Sequence, residues 1–474
     1  MTMYKTTVFS TALAAALCSP LAASAADDKA LAAIRADIQP MKQSYEARLQ
    51  ALEQRLQEAQ AATAQAQNAA AQAVAAQAQA SAAAPAAVAA AEPAPLAAPP
   101  ASAANAFNPN ISMVLGGTMQ NLSQDPAAYR LQGFVPTGGE GGPGKRSFNL
   151  GESELTLAAN IDPMFAGQLT FSLAGDNTVS VEEAYVQTRA LSDGLNLRAG
   201  RFLSSIGYLN NQHAHVWDFV DAPLAYQAFL GGQYKPDGVQ AKWLAPTDTF
   251  VELGVELGSG ASFPGNERNK NGFGSAAVFA HVGDDIGASG SWRAGASYLR
   301  TGSTGRAFDD NGLGLAFTGR SSVAMVDGIY KWSPNGNPTS QNFKLQGEYL
   351  RRTETGALAT ADAAGDYQST QSGWYLQGVY QFMPNWRAGV RYDKLTSGTP
   401  TIGLLRSGAL TAGELGSLAS YAPERSSLML DYSPSEFSRL RLQLARDQSR
   451  PGASDNQVFL QYIMSLGTHA AHAF

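Results

Sequence analysis

Two histidines, His213 and His215, are separated by a single residue and followed closely by Asp218 and Asp221, all within the run Leu203–Tyr234. Imidazole and carboxylate together suit zinc and other borderline divalent ions. In an extended segment alternate residues point the same way, so the two rings could share one ion. The same side chains could instead hydrogen-bond a loop to a wall, and the residues alone leave both uses open. Trp217, Phe219 and Phe229 read as aromatics that pack such a loop rather than hold a ligand. His469 and His472 read as side chains on the periplasmic side.

Enzyme chemistry is hard to place in this chain. Residues Gly139 to Gly144 spell GxGxxG, but a dinucleotide site needs a strand before it and a helix after it. Here Pro143 and a basic strand start follow. There is no GxSxG, P-loop or HExxH. No catalysed reaction and no cofactor are expected.

A second set of candidates is defined by alternation. Arg198, Lys242, Arg293, Lys344, Arg387, Arg391, Arg439 and Arg441 oppose apolar neighbours in short period-two segments. So do Glu152, Glu154, Glu252, Glu256, Glu348 and Asp393. If these side chains face a lumen, the later strands bring arginines and the earlier ones acids. Opposed charges across a narrow bore set up a transverse field and tune ion choice.

The elements that must position these residues can be read in turn. Leu203–Tyr234 is the longest interval without a clean strand in a strand-rich region. Loops beyond about 12–15 residues are usually functional or disordered, and this one is too aromatic and apolar for disorder. It is expected to fold into the bore of a β-barrel and narrow it, with His213, His215, Asp218 and Asp221 at the constriction.

From residue 107 to 474 the rhythm has period two. Leu155 and Leu157 alternate with Glu154 and Thr156; Val255 and Leu257 with Glu256; Leu440, Leu442 and Leu444 with Arg439, Arg441 and Gln443. Many such segments in series indicate a transmembrane barrel with lipid outside and water inside. Tight turns are expected at Asp162-Pro163, Ser192-Asp193-Gly194, Ala245-Pro246, Asp284-Asp285, Ser333-Pro334, Met383-Pro384 and Ser433-Pro434. Seven of these alternating with eight longer loops give about sixteen antiparallel strands, enough to leave an aqueous channel.

The N-terminal part differs. Residues 1–25 have the charged start, apolar stretch and small residues of a secretory signal. Residues 27–60 carry Leu31, Ile34, Ile38, Met41, Tyr45, Leu49, Leu52 and Leu56 at heptad-like spacing with a stutter, which suggests a periplasmic coiled coil that trimerises the chain. Residues 61–106 are an Ala/Gln/Pro-rich linker. Cys18 is the single cysteine, so no disulfide framework is expected. The net charge of −6 argues against a nucleic-acid partner.

Several segments carry a family resemblance: EEAYVQT, LRAGRFLSSIGYLN, HAHVWDFVDAPLAYQAFLG, DGVQAKWLAPT and the ending HAAHAF. They look like those of Gram-negative outer-membrane porins related to the phosphate-selective O/P group. The resemblance implies a trimeric, sixteen-stranded diffusion channel. Its terminal Phe474 resembles the signal read by the outer-membrane barrel assembly machinery. Phosphate preference in that group is implied by lumenal arginines plus lysine-bearing loops, and Leu203–Tyr234 departs from this by carrying no arginine or lysine. The leading expectation is a porin passing small hydrophilic solutes. The rivals are a porin that facilitates divalent metals through its histidines, and a structural tether whose coiled coil binds peptidoglycan while the barrel sits in outer-membrane lipid.

Overall fold

The computed structural model describes residues 109–137, 142–175, 177–189, 191–266 and 270–467. The expected signal, coiled coil and linker, together with His469, His472 and Phe474, lie outside these residues, as does Gly139 of the GxGxxG spelling.

Period-two alternation becomes a closed antiparallel wall. In chain order the strands are β1 (Asn110–Leu122), β2 (Ser147–Leu150), β3 (Ser153–Asn160), β4 (Phe165–Leu173), β5 (Val179–Thr188), β6 (Leu195–Arg201), β7 (Asp237–Leu244), β8 (Phe250–Gly258) and β9 (Ser275–Ile286). There follow β10 (Gly290–Asp310), β11 (Leu313–Trp332), β12 (Asn342–Ala359), β13 (Ala364–Met383), β14 (Trp386–Thr396), β15 (Thr401–Ile402), β16 (Glu424–Ser435), β17 (Ser438–Arg450) and β18 (Ala453–Leu466). Each wall strand pairs with its neighbours, and β1 closes the ring. Met113 is opposite Leu155 of β3 on one side and Leu466 of β18 on the other. Short β2 only extends the β3 side of β1, and short β15 only pads β13. The other sixteen strands form the barrel, the number read from the alternation.

The two faces differ as the pattern requires. Val255, Val390, Leu428, Leu442 and Leu460 are exposed on the outside, whereas Glu256, Arg391, Ser427, Arg441 and Gln461 are buried on the inside. Closure gives each of the sixteen described wall strands a partner on both sides, which removes the open edges of a flat sheet. Outer aromatics add to the apolar surface, among them Trp374 and Tyr392, whose rings lie 5.5 Å apart.

Most expected turns lie where the sequence put them, and two shift. Asp284-Asp285 ends β9, so the turn follows at Gly287. Ser433-Pro434 lies in the last residues of β16, where a register shift between Tyr432 and Ser435 precedes the turn. On the opposite rim, two pairs of long strands run past the rest of the wall. β10 and β11 have 21 and 20 residues and meet at Asn311-Gly312. Both residues have positive φ, the geometry of the tight Asn-Gly hairpin turn.

Candidate functional site, a loop docked inside the barrel

Residues 202–236 connect β6 to β7 and fold inward. A two-turn helix, Leu224–Leu230, is buried along its whole length and ends at Gly231 in the left-handed conformation. Phe229, Leu224, Ile206 and Leu209 join a buried cluster with Phe279, Leu299, Val323, Met325, Leu350 and Leu395 of the inner wall. The loop is therefore a plug with its own apolar core, packed mainly on β9–β14.

Water inside a barrel calls for a polar inner wall, and on these strands the inner wall is partly apolar. Val323 and Met325 are buried inside while Val326 is exposed outside, so this piece of β11 is apolar on both faces. The continuous run Val323-Ala324-Met325-Val326 is the sequence signal of a strand covered on both sides.

An irregular loop buried in a barrel must find partners for its own backbone. Here the wall supplies them by charge type. Its carboxylates accept from loop N–H groups: Glu183 from Leu203 (3.0 Å), Glu256 from Ser205 (2.9 Å), Glu348 from Tyr208 (3.2 Å) and Leu209 (3.0 Å), and Asp393 from Leu224 (2.9 Å). Its arginines donate to loop carbonyls. Arg293 reaches Gly207 (3.2 Å), Arg441 Trp217 (2.6 Å), Arg391 Asp221 (2.8 Å), Arg425 Ala222 (2.8 Å) and Arg352 Ala228 (3.1 Å), and Arg439 reaches His215. Cation–π contacts add to this, with Arg391 4.7 Å over Phe219 and Arg352 5.2 Å over Phe229. Gly207 marks a close approach of loop backbone to wall. Its φ is +68°, and a Cβ there would overlap Glu348 Oε2.

The loop aspartates sit among wall cations. Asp218 contacts Lys344 Nζ at 2.6 Å and Arg387 Nη1 at 3.4 Å. Asp221 contacts Arg391 Nη2 at 2.8 Å and Arg425 Nη1 at 2.6 Å. Burial pushes both carboxyls up, but Lys344 and Arg387 hold Asp218 below the usual carboxylate range, and Arg425 and Arg391 do the same for Asp221. The sequence placed these acids at a constriction in a bore whose later strands bring arginines. In the structure they touch them, because the loop lies against that wall.

The histidines meet the opposite side. His213 Nδ1 lies 3.0 Å from Glu154 Oε2 and 3.5 Å from Glu182 Oε2, and its Nε2 is 3.1 Å from Glu183 Oε2. His215 Nδ1 is 3.0 Å from Glu154 Oε1. Burial lowers the His213 pKa, but bonding to Glu154, Glu182 and Glu183 outweighs it and raises the ring well above its ordinary range. Glu154 was expected to point inward, whereas Glu182 and Glu183 were not singled out. Adjacent residues of a regular strand face opposite ways. Thr170 pairs with Glu183 and Phe171 with Val181, so Glu182 is an extra residue in a β-bulge. The bulge turns both carboxylates inward.

The remaining wall candidates stay partly exposed beside the loop. Lys242 Nζ is 3.2 Å from Glu252 Oε2, their side chains 25% and 18% exposed. Arg293, 22% exposed, is 3.6 Å from Asp327. Arg198 lies 4.3 Å from the Tyr185 ring centre and donates to Gln187 at 3.1 Å. The fifth histidine, His281, contacts Glu252 at 3.1 Å. Thus the candidates fall into two groups. Lys344, Arg387, Arg391, Arg439, Arg441 and Glu256 hold the loop, while Arg198, Lys242, Glu252 and Arg293 line the open side, Arg293 also reaching back to the loop.

No family model matches the chain. An uncharacterized protein of Aquifex aeolicus is 30% identical over 403 residues, covering 78% of this chain and 80% of that protein. Among solved structures, the trimer form of OmpT, an outer membrane protein of Vibrio cholerae, shares 11% identity at a TM-score of 0.47, over 76% of this chain and 99% of that one. The outer membrane channel DcaP of Acinetobacter baumannii shares 12% at 0.44, over 76% and 97%. An anion-selective porin from Comamonas acidovorans shares 11% at 0.44, over 76% and 99%. The barrel itself is established by its own pairing, strand by strand.

Proposed function

We propose, for a chain that belongs to the same family as that Aquifex aeolicus protein, that the barrel is an outer-membrane porin through which small hydrophilic solutes or ions diffuse passively. One observation carries the reading. The closed sixteen-strand wall is apolar outside, and beside the docked loop its inner face keeps charged side chains, Lys242, Glu252 and Arg293, partly exposed. Such a wall suits hydrocarbon on one side and water on the other. The exposed outer residues argue against a purely aqueous setting, since soluble monomers rarely show so broad an apolar surface.

In this reading the loop narrows the bore from the β9–β14 side, and solutes pass along β4–β10. Both charge signs line that path, which favours polar solutes without strong selection for one sign. Phosphate preference is not part of the proposal. Arg387, Arg391, Arg425, Arg439 and Arg441 hold loop carbonyls or buried aspartates, so they do not form an open ladder of anion sites. Trimerisation through residues 27–60 belongs to the proposal and rests on their heptad-like spacing.

The test is conductance. Full-length protein in planar bilayers should give discrete, ohmic steps and reversal potentials of modest size under a salt gradient. Folded protein that inserts without conducting would overturn the channel and favour the tether. Crosslinking in membranes, with and without residues 27–60, tests the trimer.

A further inference from the structure

The junction between the loop and the early strands does more than fasten one to the other. Glu154 of β3, Glu182 and Glu183 of the β5 bulge, and His213 and His215 of the loop converge on one buried spot, with Glu152 beside them. One ligand atom each from Glu154, His213 and His215 lies within 4.8 Å of the others, and the same holds for Glu152, Glu154 and Glu182. We propose that this spot binds one divalent cation of zinc's class through the imidazoles of His213 and His215 and the carboxylates of Glu154 and Glu182, and that the cation locks the loop to the wall.

Five observations carry the proposal. The donor set, two imidazoles with carboxylates, is what a borderline divalent ion prefers. Both imidazoles present Nδ1 to one carboxylate, Glu154, at 3.0 Å. A cation placed there would replace the protons that those contacts need, and its ligands would close to about 2.0–2.2 Å.

The far nitrogen of His213 faces Glu183 at 3.1 Å. A carboxylate on the second nitrogen fixes the tautomer and ring orientation of a metal-bound histidine. Glu183 is itself held, accepting from Leu203 N at 3.0 Å and Gln168 Nε2 at 3.0 Å.

Charge balance points the same way. Four carboxylates share the spot with two imidazoles and one ammonium, that of Lys235, which is 3.8 Å from Glu182 Oε1. Glu152 Oε2 is buried and accepts no hydrogen bond among the described residues, and buried Glu182 Oε2 has only the long 3.5 Å contact to His213 Nδ1. Buried carboxylate oxygens without such partners are costly, and a divalent ion would satisfy them.

Finally, the bulge that brings Glu182 inward is a local departure from regular pairing, of the kind that re-aims a side chain near a site.

The inference goes beyond the diffusion channel and does not depend on it, because binding can be measured in detergent without any conductance. The probe is zinc chloride, titrated calorimetrically into the metal-stripped full-length chain. One zinc per chain is expected. His213→Ala with His215→Ala, and separately Glu154→Gln, should weaken binding by more than about 10-fold. His469→Ala with His472→Ala should leave it unchanged, which separates the site from casual binding at the tail. Each variant is first checked for a heat-modifiable folded band, and Glu182→Gln serves as a milder change if the double histidine variant fails to fold. Zinc should also slow amide exchange across residues 209–217 in the wild type. Absence of stoichiometric uptake, or uptake unaffected by Glu154→Gln and Glu182→Gln, would overturn the proposal.

Discussion

Arg391 grips Asp221 twice, with Nη2 2.8 Å from the carboxylate Oδ1 and Nη1 2.8 Å from the backbone carbonyl of the same residue. Arg425 takes the other carboxylate oxygen at 2.6 Å. Loop and wall thus share one buried charge network, and breaking one partner leaves the others uncompensated. Replacing Asp218 and Asp221 by asparagine removes two negative charges and leaves Lys344, Arg387, Arg391 and Arg425 in excess. The double variant should shift the reversal potential toward anions, and loss of a buried partner should weaken docking by about 3–5 kcal/mol. Bilayer recording reads the first effect and limited proteolysis of the loop reads the second. An unchanged reversal potential would mean that no solute passes near these charges.

The same pair sets an acid limit. Asp218 and Asp221 have folded pKa values lowered from their ordinary range. A lowered carboxylate contributes stability that is complete above its unfolded pKa, about 3.9, and is lost as pH falls through the folded value. As far as these groups decide it, docking should hold from pH 7 to about 4 and loosen only below that. Protease sensitivity of the loop followed against pH checks this, and loosening already near pH 6 would assign docking to other groups.

How much of this was legible in the residues depends on what each pattern reports. Leu440, Leu442 and Leu444 against Arg439, Arg441 and Gln443 give strand, face and closure together, because both sides of the wall have uniform demands. The loop was legible as an interruption, and its aromatics as packing. Its direction of packing was not, because Val323, Met325 and Leu350 become inner-wall residues only through a partner far away in sequence. The Glu182-Glu183 pair was hidden for a different reason. Strict alternation sends one of two neighbours outward, and only the register of β4 against β5 shows the bulge that keeps both inside. Likewise Asp284-Asp285 looks like a turn by composition, yet pairing with Ser291 and Trp292 keeps it in the strand.

Glu348 accepts four hydrogen bonds from loop and wall. It takes hydrogen bonds from the Tyr208 and Leu209 amides and from the Tyr226 and Tyr375 hydroxyls, the last two at 2.8 and 2.7 Å. Glu348→Leu would strand these donors at about 1–3 kcal/mol each, whereas Glu348→Gln keeps an acceptor in place. Amide exchange across residues 203–230 should rise strongly in the leucine variant and modestly in the glutamine variant, with β16–β18 unchanged. Equal exchange in both variants and the wild type would show that the loop docks without this residue.

Orientation can be checked on neighbouring residues. Leu442 is exposed on the outer face and Arg441 is buried inside. Leu442→Arg should cost about 2–4 kcal/mol if the site lies near the bilayer midplane and should lower the folded yield in vesicles. Leu442→Cys carrying a nitroxide should be quenched by lipid-soluble oxygen and shielded from a water-soluble relaxant. The reverse pattern would place the outer face in water.

Loop removal gives the most direct reading of what the plug does. Asn210 must be spared, because its side chain ties the two legs of the loop together. Its amide donates to the Ser204 and Tyr234 carbonyls at 2.8 and 2.9 Å and accepts from Tyr234 N at 2.7 Å. Deleting residues 211–222 keeps that clasp and keeps the helix Leu224–Leu230, whose buried side chains cover the apolar inner wall. It removes both histidines, both aspartates and Trp217, which together fill the space between Glu154 and Arg387. A pore's flux is limited at its narrowest section, so the deletion should raise single-channel conductance well above that of the wild type. Because it removes both aspartates and leaves Lys344, Arg387, Arg391 and Arg425, it should also shift the reversal potential toward anions, as the aspartate variants do. A folded deletion variant with wild-type conductance would show that residues 211–222 do not set the narrowest section.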